Sequence, residues 1–375
     1  MTKEKVVFYG LSTEGYSLAS QLSINGADVR IIDESTSSAI LLKPEVAKTY
    51  TNVISLREDE PLLAMEPSNI AISKAKYLFF TPRIRKTGQD LKTEVNSKFK
   101  NAVAELKDSS SIINCLPTGF GGNNENISLL KHVTGLEAGK SISYFYFPLN
   151  DLNKTPESIG ALKKSDEKKL LSLLKMGKKE KKFVDISSAE HLHAINTIQG
   201  FSSLCSILEV CKFVKNNTKH TTLFNDFKNL YLDDMITDLY DLRMLGSSFE
   251  SAQVLMYLIN GSIRGISGYI KRLIDTIRIT LKKNDLKASK TKIVLSWTLD
   301  ANEMRGDKIE MLNTIASKLR DYIGDVETSS GSSGLFHHDK VTIVVACSSS
   351  DYKEIIESQK AGDVFIIKAN PLCEI

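Results

Sequence analysis

The residues best placed to do chemistry lie near the start of the chain. Gly10, Ser12 and Gly15 hold the three positions of a G-x-G-x-x-G turn, with Thr13 and Glu14 inside it. Asp33 follows at about the twenty-residue spacing at which an acid meets a ribose in dinucleotide sites. The first glycine lets the chain turn sharply off a strand. The helix start at Thr13 to Gly15 offers unpaired N–H groups and a positive dipole end to a pyrophosphate. Asp33 would accept hydrogen bonds from the ribose diol. The middle position departs from the fingerprint. Ser12 stands where glycine lets phosphate approach the backbone, so its side chain either crowds the phosphate or donates a hydroxyl to it. Glu14 adds negative charge beside the same place. The competing reading is an ordinary α/β opening with no ligand.

Other chemistry-bearing residues are sparse. His191 and His193 are two apart on an expected helix, point to different faces and make a poor metal pair, so no metal site is expected. His337 and His338 read as a solvated turn. The five cysteines (Cys115, Cys205, Cys211, Cys347 and Cys373) form no CxxC pair, and their odd number favours reduced, mostly buried thiols. Cys205 and Cys211 have the spacing of core positions on a helix, and Trp297 reads as core at a strand end.

The elements that must position these residues follow from periodicity. VVFYG, a helix over YSLASQLSING and VRIID make a strand–helix–strand opening. KYLFFTP, a helix over 90–107, SIINCLPTG and SISYFYFP continue the α/β pattern, with the last expected as a late or edge strand ending at Pro148. The lysine-rich segment over about 150–183 reads as an exposed connection with a short helix. From Ser187 the pattern turns helical, with Ser188 as a plausible cap and a very long helix over about 248–283. Strands return with KIVLSW, VTIVVA and VFIIK, interleaved with helices over about 307–323 and 352–358; SSGSSG is a flexible loop among them. The expected class is therefore α/β, with two Rossmann-like domains joined by an all-helical domain. The expected domains are 1–186, 187–285 and 286–375.

Composition narrows the classes. At 375 residues, 42% hydrophobic and 25% charged, the chain has the profile of a soluble multidomain protein. No apolar run reaches the length of a membrane helix. The opening MTKEKVVFYG places a strand where a signal peptide needs its hydrophobic core, so a cytoplasmic location is expected. The net charge of +4 is modest and the basic stretch at Gly177 to Lys182 lacks aromatic partners, so no nucleic-acid partner is expected. The long helix carries Leu255, Leu258, Ile259, Ile266, Ile270 and Ile274, a stripe that predicts a homodimer.

Six segments in order resemble the UDP-glucose/GDP-mannose dehydrogenase family over almost the whole chain. They are GLSTEGYSLA, FFTP, CLPTG, YFYFP, LRMLGSSFESA and WTLDANEMRGD. The resemblance implies an NAD cofactor at Gly10, Ser12, Thr13, Glu14, Gly15 and Asp33, with Thr81, Pro82 and Thr118 toward the nicotinamide. It implies oxidation of a nucleotide-sugar alcohol to a carboxylate through a cysteine adduct. It places Asn196 and Ser248 at catalytic positions, and Arg243 and Arg305 at substrate-binding ones. Here the family's cysteine falls on Ser248. Its lysines fall on Leu192, Ser251 and Thr298, its aspartate on Ala252 and its glutamate on Leu149. The resemblance thus implies a divergent protein that binds NAD and a nucleotide sugar without the standard catalytic set. The alternatives are an active nucleotide-sugar dehydrogenase with non-standard residues, a hydroxyacid or phosphogluconate-type dehydrogenase, and a structural dimer with no ligand.

Overall fold

The computed structural model describes residues 4–88, 90–149, 158–162, 167–175, 182–214, 229–249, 254–330, 340–358 and 364–371. Ser251, Ala252, most of the basic stretch, most of the SSGSSG loop, His337, His338 and Cys373 lie outside them. The contacts divide the chain into two compact units.

The first unit comprises residues 1–197 with two later segments, 243–250 and 302–306. Its elements are β1 (Lys5–Tyr9), α1 (Thr13–Ile24), β2 (Asp28–Asp33), β3 (Ser38–Leu42), α2 (Pro44–Thr49), α3 (Val53–Glu58), β4 (Met65–Pro67), α4 (Ser68–Ser73), β5 (Tyr77–Phe80), α5 (Asp90–Val103), β6 (Ser111–Asn114), α6 (Gly122–Thr134), β7 (Ser143–Tyr146), β8 (Ser158–Ala161), α7 (Glu167–Leu174), β9 (Lys182–Asp185) and the first half of α8 (Ile186–Val214). The strands form one sheet in the order β4-β3-β2-β1-β5-β6-β7-β8-β9. Its centre, β2-β1-β5-β6-β7, is parallel. These strands are near-continuous apolar runs because helices cover both faces of such a sheet. Phe8 and Phe79 face each other in register and stack with ring centroids 4.6 Å apart.

Three expectations are corrected here. SISYFYFP is not an edge strand: β7 pairs with β6 on one side and antiparallel with β8 on the other. The lysine-rich connection contributes β8 and β9 to the sheet as well as α7, which short strands without alternation did not reveal. Ser188 does not cap α8, which starts two residues earlier. Asp185 caps instead, accepting from Ser188 N at 3.0 Å.

The second unit comprises residues 198–242, 251–301 and 307–375. It holds the rest of α8, then α9 (Leu232–Ile236), α10 (Leu239–Gly246, which ends in the first unit), α11 (Val254–Lys283), β10 (Thr291–Ser296), α12 (Asp307–Arg320), β11 (Val326–Ser329), β12 (Val341–Ala346), α13 (Ser349–Ser358) and β13 (Val364–Lys368). Its strands form a wholly parallel sheet in the order β11-β10-β12-β13. The fold is thus α/β with two Rossmann-like sheets and a helical stretch between them in sequence that includes a 30-residue helix. Much of that helix's stripe is covered within the chain: Ile259, Ile266, Ile270 and Ile274 are buried, and Gly265 lets Cys205 of α8 approach closely. Its first turns differ, with Val254, Tyr257 and Leu258 exposed.

Candidate functional site

The candidate site is the rim of the first sheet, where strand ends meet helix starts. Gly10 leaves β1 at φ +114°, and a Cβ there would collide with the Thr81 carbonyl at the end of β5. Gly15 is also crowded, since a Cβ would lie 2.5 Å from Thr81 Oγ1, although that contact is with a side chain. Thr81 is fully buried and donates its hydroxyl to Gly10 O at 3.2 Å, with Pro82 buried beside it. The two glycines and Thr81 therefore weld β1, α1 and β5 together. Ser12 is the N-cap of α1, its Oγ accepting from Gly15 N at 3.2 Å. Thr13 N, which would point at a phosphate, donates to Asn302 O at 2.9 Å. The Glu14 carboxylate is buried, accepts from Met304 N at 2.9 Å and lies 3.9 Å from Arg305.

Asp33 ends β2 almost wholly buried. One oxygen accepts from Ser35 N (2.8 Å), Ser35 Oγ (2.6 Å) and Arg83 (3.0 Å); the other accepts from Arg57 at 2.7 Å. Burial raises its pKa, but the hydrogen bonds from Ser35 and the two arginines outweigh it and hold the carboxyl below its ordinary value. Both oxygens are already engaged.

A dinucleotide entering this arrangement must displace groups of the chain. Two of the N–H groups at the start of α1 have partners in the chain, a buried carboxylate stands beside them and the ribose acid is ion-paired. The turn has the geometry of a dinucleotide fold with its polar groups directed inward.

The second helix start on the rim is also satisfied from within. Gly121, at φ +73°, precedes α6 and supplies no side-chain cap. Glu190 of α8 does so from 69 positions away, accepting from Gly121 N and Asn123 N, each at 2.9 Å. It also accepts from Asn123 Nδ2 at 2.8 Å and Thr118 Oγ1 at 3.4 Å. Asn123 in turn accepts from Tyr144 and Asn114. Thr118 is thus part of a buried network, not a free strand-end group.

The catalytic positions give no activated nucleophile. Ser248 donates its hydroxyl to Met244 O at 2.9 Å and packs against Gly119. Cys115, the cysteine on this rim, is fully buried, and burial pushes its thiol well above the ordinary range. Asn196 and Leu192 are exposed on α8. Leu149 is buried, and its carbonyl accepts from Arg305 at 2.9 Å. Arg305 is therefore engaged inside the unit, while Arg243 is half-buried on α10. In the second unit Thr298 donates to Asp351 through its backbone and hydroxyl, and Trp297 is buried with Nε1 donating to Asp233 at 2.8 Å. Among the described residues no group of three or more His, Cys, Asp or Glu side chains makes a metal site. His191 is exposed and His193 buried, as opposite faces require. Cys211 is buried as expected; Cys205 is only partly so.

Arg57, Arg83, Glu190, Asn123 and Asn302 were not read from sequence. Only the Gly121–Gly122 pair, a helix start without a side-chain cap, signalled that a distant group was required.

No protein-family model and no curated protein sequence matches the chain. Solved structures do match. A UDP-D-ManNAc dehydrogenase from Pyrococcus horikoshii superposes with a TM-score of 0.69 at 14% identity, over 98% of this chain and 96% of that one. A UDP-glucose dehydrogenase from Pyrobaculum islandicum gives 0.68 at 12% identity, over 98% and 94%. A UDP-N-acetyl-mannosamine dehydrogenase from Staphylococcus aureus gives 0.59 at 13% identity, over 98% of each chain. The chain has the fold of the nucleotide-sugar dehydrogenases. No helix among the described residues is long and apolar enough to cross a membrane.

Proposed function

We propose that this chain is a divergent nucleotide-sugar dehydrogenase-like protein that recognises a nucleotide sugar without oxidising it. The observation that carries this reading is the state of Ser248. Its hydroxyl donates to a backbone carbonyl one helical turn back, which leaves the proton on oxygen. An alcohol becomes a nucleophile only when a base accepts that proton. Burial of Cys115 removes the alternative thiolate. Recognition of a UDP- or GDP-sugar is supported by a likeness of fold that runs the length of the chain; in this reading Arg243 helps to bind its phosphate. NAD enters this reading as a ligand that must displace the groups now engaged at Thr13, Glu14 and Asp33. A homodimer through the exposed first turns of α11 and a cytoplasmic location belong to the same reading; light scattering showing only monomer at micromolar concentration would remove the dimer.

The test is to incubate the purified protein with NAD and a panel of UDP- and GDP-sugars. Absorbance of reduced nicotinamide reports oxidation and calorimetry reports binding. The expected result is heat of binding from one nucleotide sugar and no reduced nicotinamide. Steady NADH formation abolished by Ser248→Ala would overturn the reading in favour of an active dehydrogenase. NADH formation unaffected by that substitution would overturn it too, and would put the active site elsewhere.

A further inference from the structure

Residues Asn302–Gly306 belong to the first unit although the residues on either side in sequence belong to the second. These five residues lie across the β1–α1 turn as a strap. Asn302 O accepts from Thr13 N at 2.9 Å, and Met304 O accepts from Ile84 N at 2.7 Å. Glu303 O accepts from Arg85 at 2.8 Å. A Cβ on Gly306 would come within 2.8 Å of Ile84 O, so the strap is seated against the segment that follows β5. The side chain of Arg305 is buried and reaches back to Leu149 O and toward Glu14.

The position of Glu14 gives the strap its meaning. A buried carboxylate is costly unless donors and a cation compensate it. Glu14 has both, in Met304 N–H and the Arg305 guanidinium, and both come from the strap. A helix start and an arginine facing one place are what a phosphate needs. Here a carboxylate of the chain supplies the negative charge.

We infer that Glu14 and the Asn302–Gly306 strap form an autoinhibitory plug, an internal substitute for a pyrophosphate that closes the turn to phosphate-bearing dinucleotides. A ligand entering the turn must free Thr13 N from Asn302 O, displace Met304 N from Glu14 and then lie beside a carboxylate that competes with it for Arg305. The first two exchanges replace one hydrogen bond by another. The like-charge contact has no such return, so Glu14 sets the block. The plug rests on the geometry of the turn and not on the state of Ser248: steady NADH formation by the wild type would overturn both readings, whereas nucleotide-sugar binding or its absence bears on the proposed function alone.

Calorimetric titration of the full chain with inorganic pyrophosphate and with NAD tests it. Wild type should show no saturable binding of either. Glu14→Gln keeps the side-chain volume and the hydrogen bond from Met304 N while removing the charge, and should bind both about tenfold more tightly or better. Adding Arg305→Ala to Glu14→Gln should abolish the gain. Wild-type saturation by either probe at an affinity that Glu14→Gln does not improve would overturn the plug. Hydrogen exchange supplies a measurement without substitutions. The Thr13 and Met304 amides should be protected in the free protein, and exchange as fast as exposed loop amides would overturn it equally.

Discussion

The two helix starts on the rim of the first sheet solve one problem in different ways. Each leaves N–H groups that need acceptors. At α1 the cap is local, with Ser12 beside the N–H it serves, and a strap from near residue 302 accepts from Thr13 N. At α6 there is no side-chain cap nearby: Gly122 N donates to Gly119 O, and the carboxylate of Glu190 on another helix serves Gly121 N and Asn123 N. The α1 start combines a neutral cap with carbonyl and amide groups of the strap, and on the inference above it is where a ligand would compete with the chain. The α6 start holds a buried charge in a closed network of Thr118, Asn123, Asn114 and Tyr144, and behaves as core.

Substitutions separate the two. The largest effect is expected at Gly10, where alanine meets both a positive φ and the Thr81 carbonyl; destabilisation of about 3 kcal/mol or more should appear as lost soluble protein or a collapsed denaturation midpoint. Gly121→Ala has open space around it and only the positive φ to overcome, about 1 kcal/mol, and equal losses at the two glycines would break the comparison. Next comes Glu190→Ala, which strands two backbone donors and Asn123 at a cost of about 2–4 kcal/mol in urea unfolding. Ser12→Ala should cost about 1 kcal/mol, and Ser12→Gly only a few tenths.

A smaller effect depends on pH. The Asp33 carboxyl has a lowered pKa in the folded protein. Its contribution is therefore fully present above the unfolded carboxyl value of about 4 and is lost as pH falls through the folded value. Asp33→Asn should flatten the acid limb of the stability curve, and an unchanged limb would show that Arg57 and Arg83 do not stabilise the ionised form.

Much of the architecture was legible in the sequence. Gly10, the apolar run before it and the helical spacing after it specify a strand–turn–helix because each signal is local and each agrees with the next. Asp33 at the end of β2, the return of strands at β10 and the length of α11 were readable for the same reason. β8 and β9 were hidden because short, half-polar strands become strands by pairing with a sheet already formed.

The inward-turned rim was not legible. Nothing near Thr13 says that its N–H will meet Asn302, and nothing near Glu14 says that Met304 and Arg305 will compensate its charge. Nothing near Asp33 names Arg57 and Arg83 as its partners, or near Gly121 names Glu190. Sequence alone determined that this chain would build the strands, turns and helix starts of a dinucleotide fold, since local chain conformation dictates those. Tertiary structure alone decided that the N–H groups and carboxylates of that turn would face one another, because groups tens to hundreds of residues apart meet only when the chain packs.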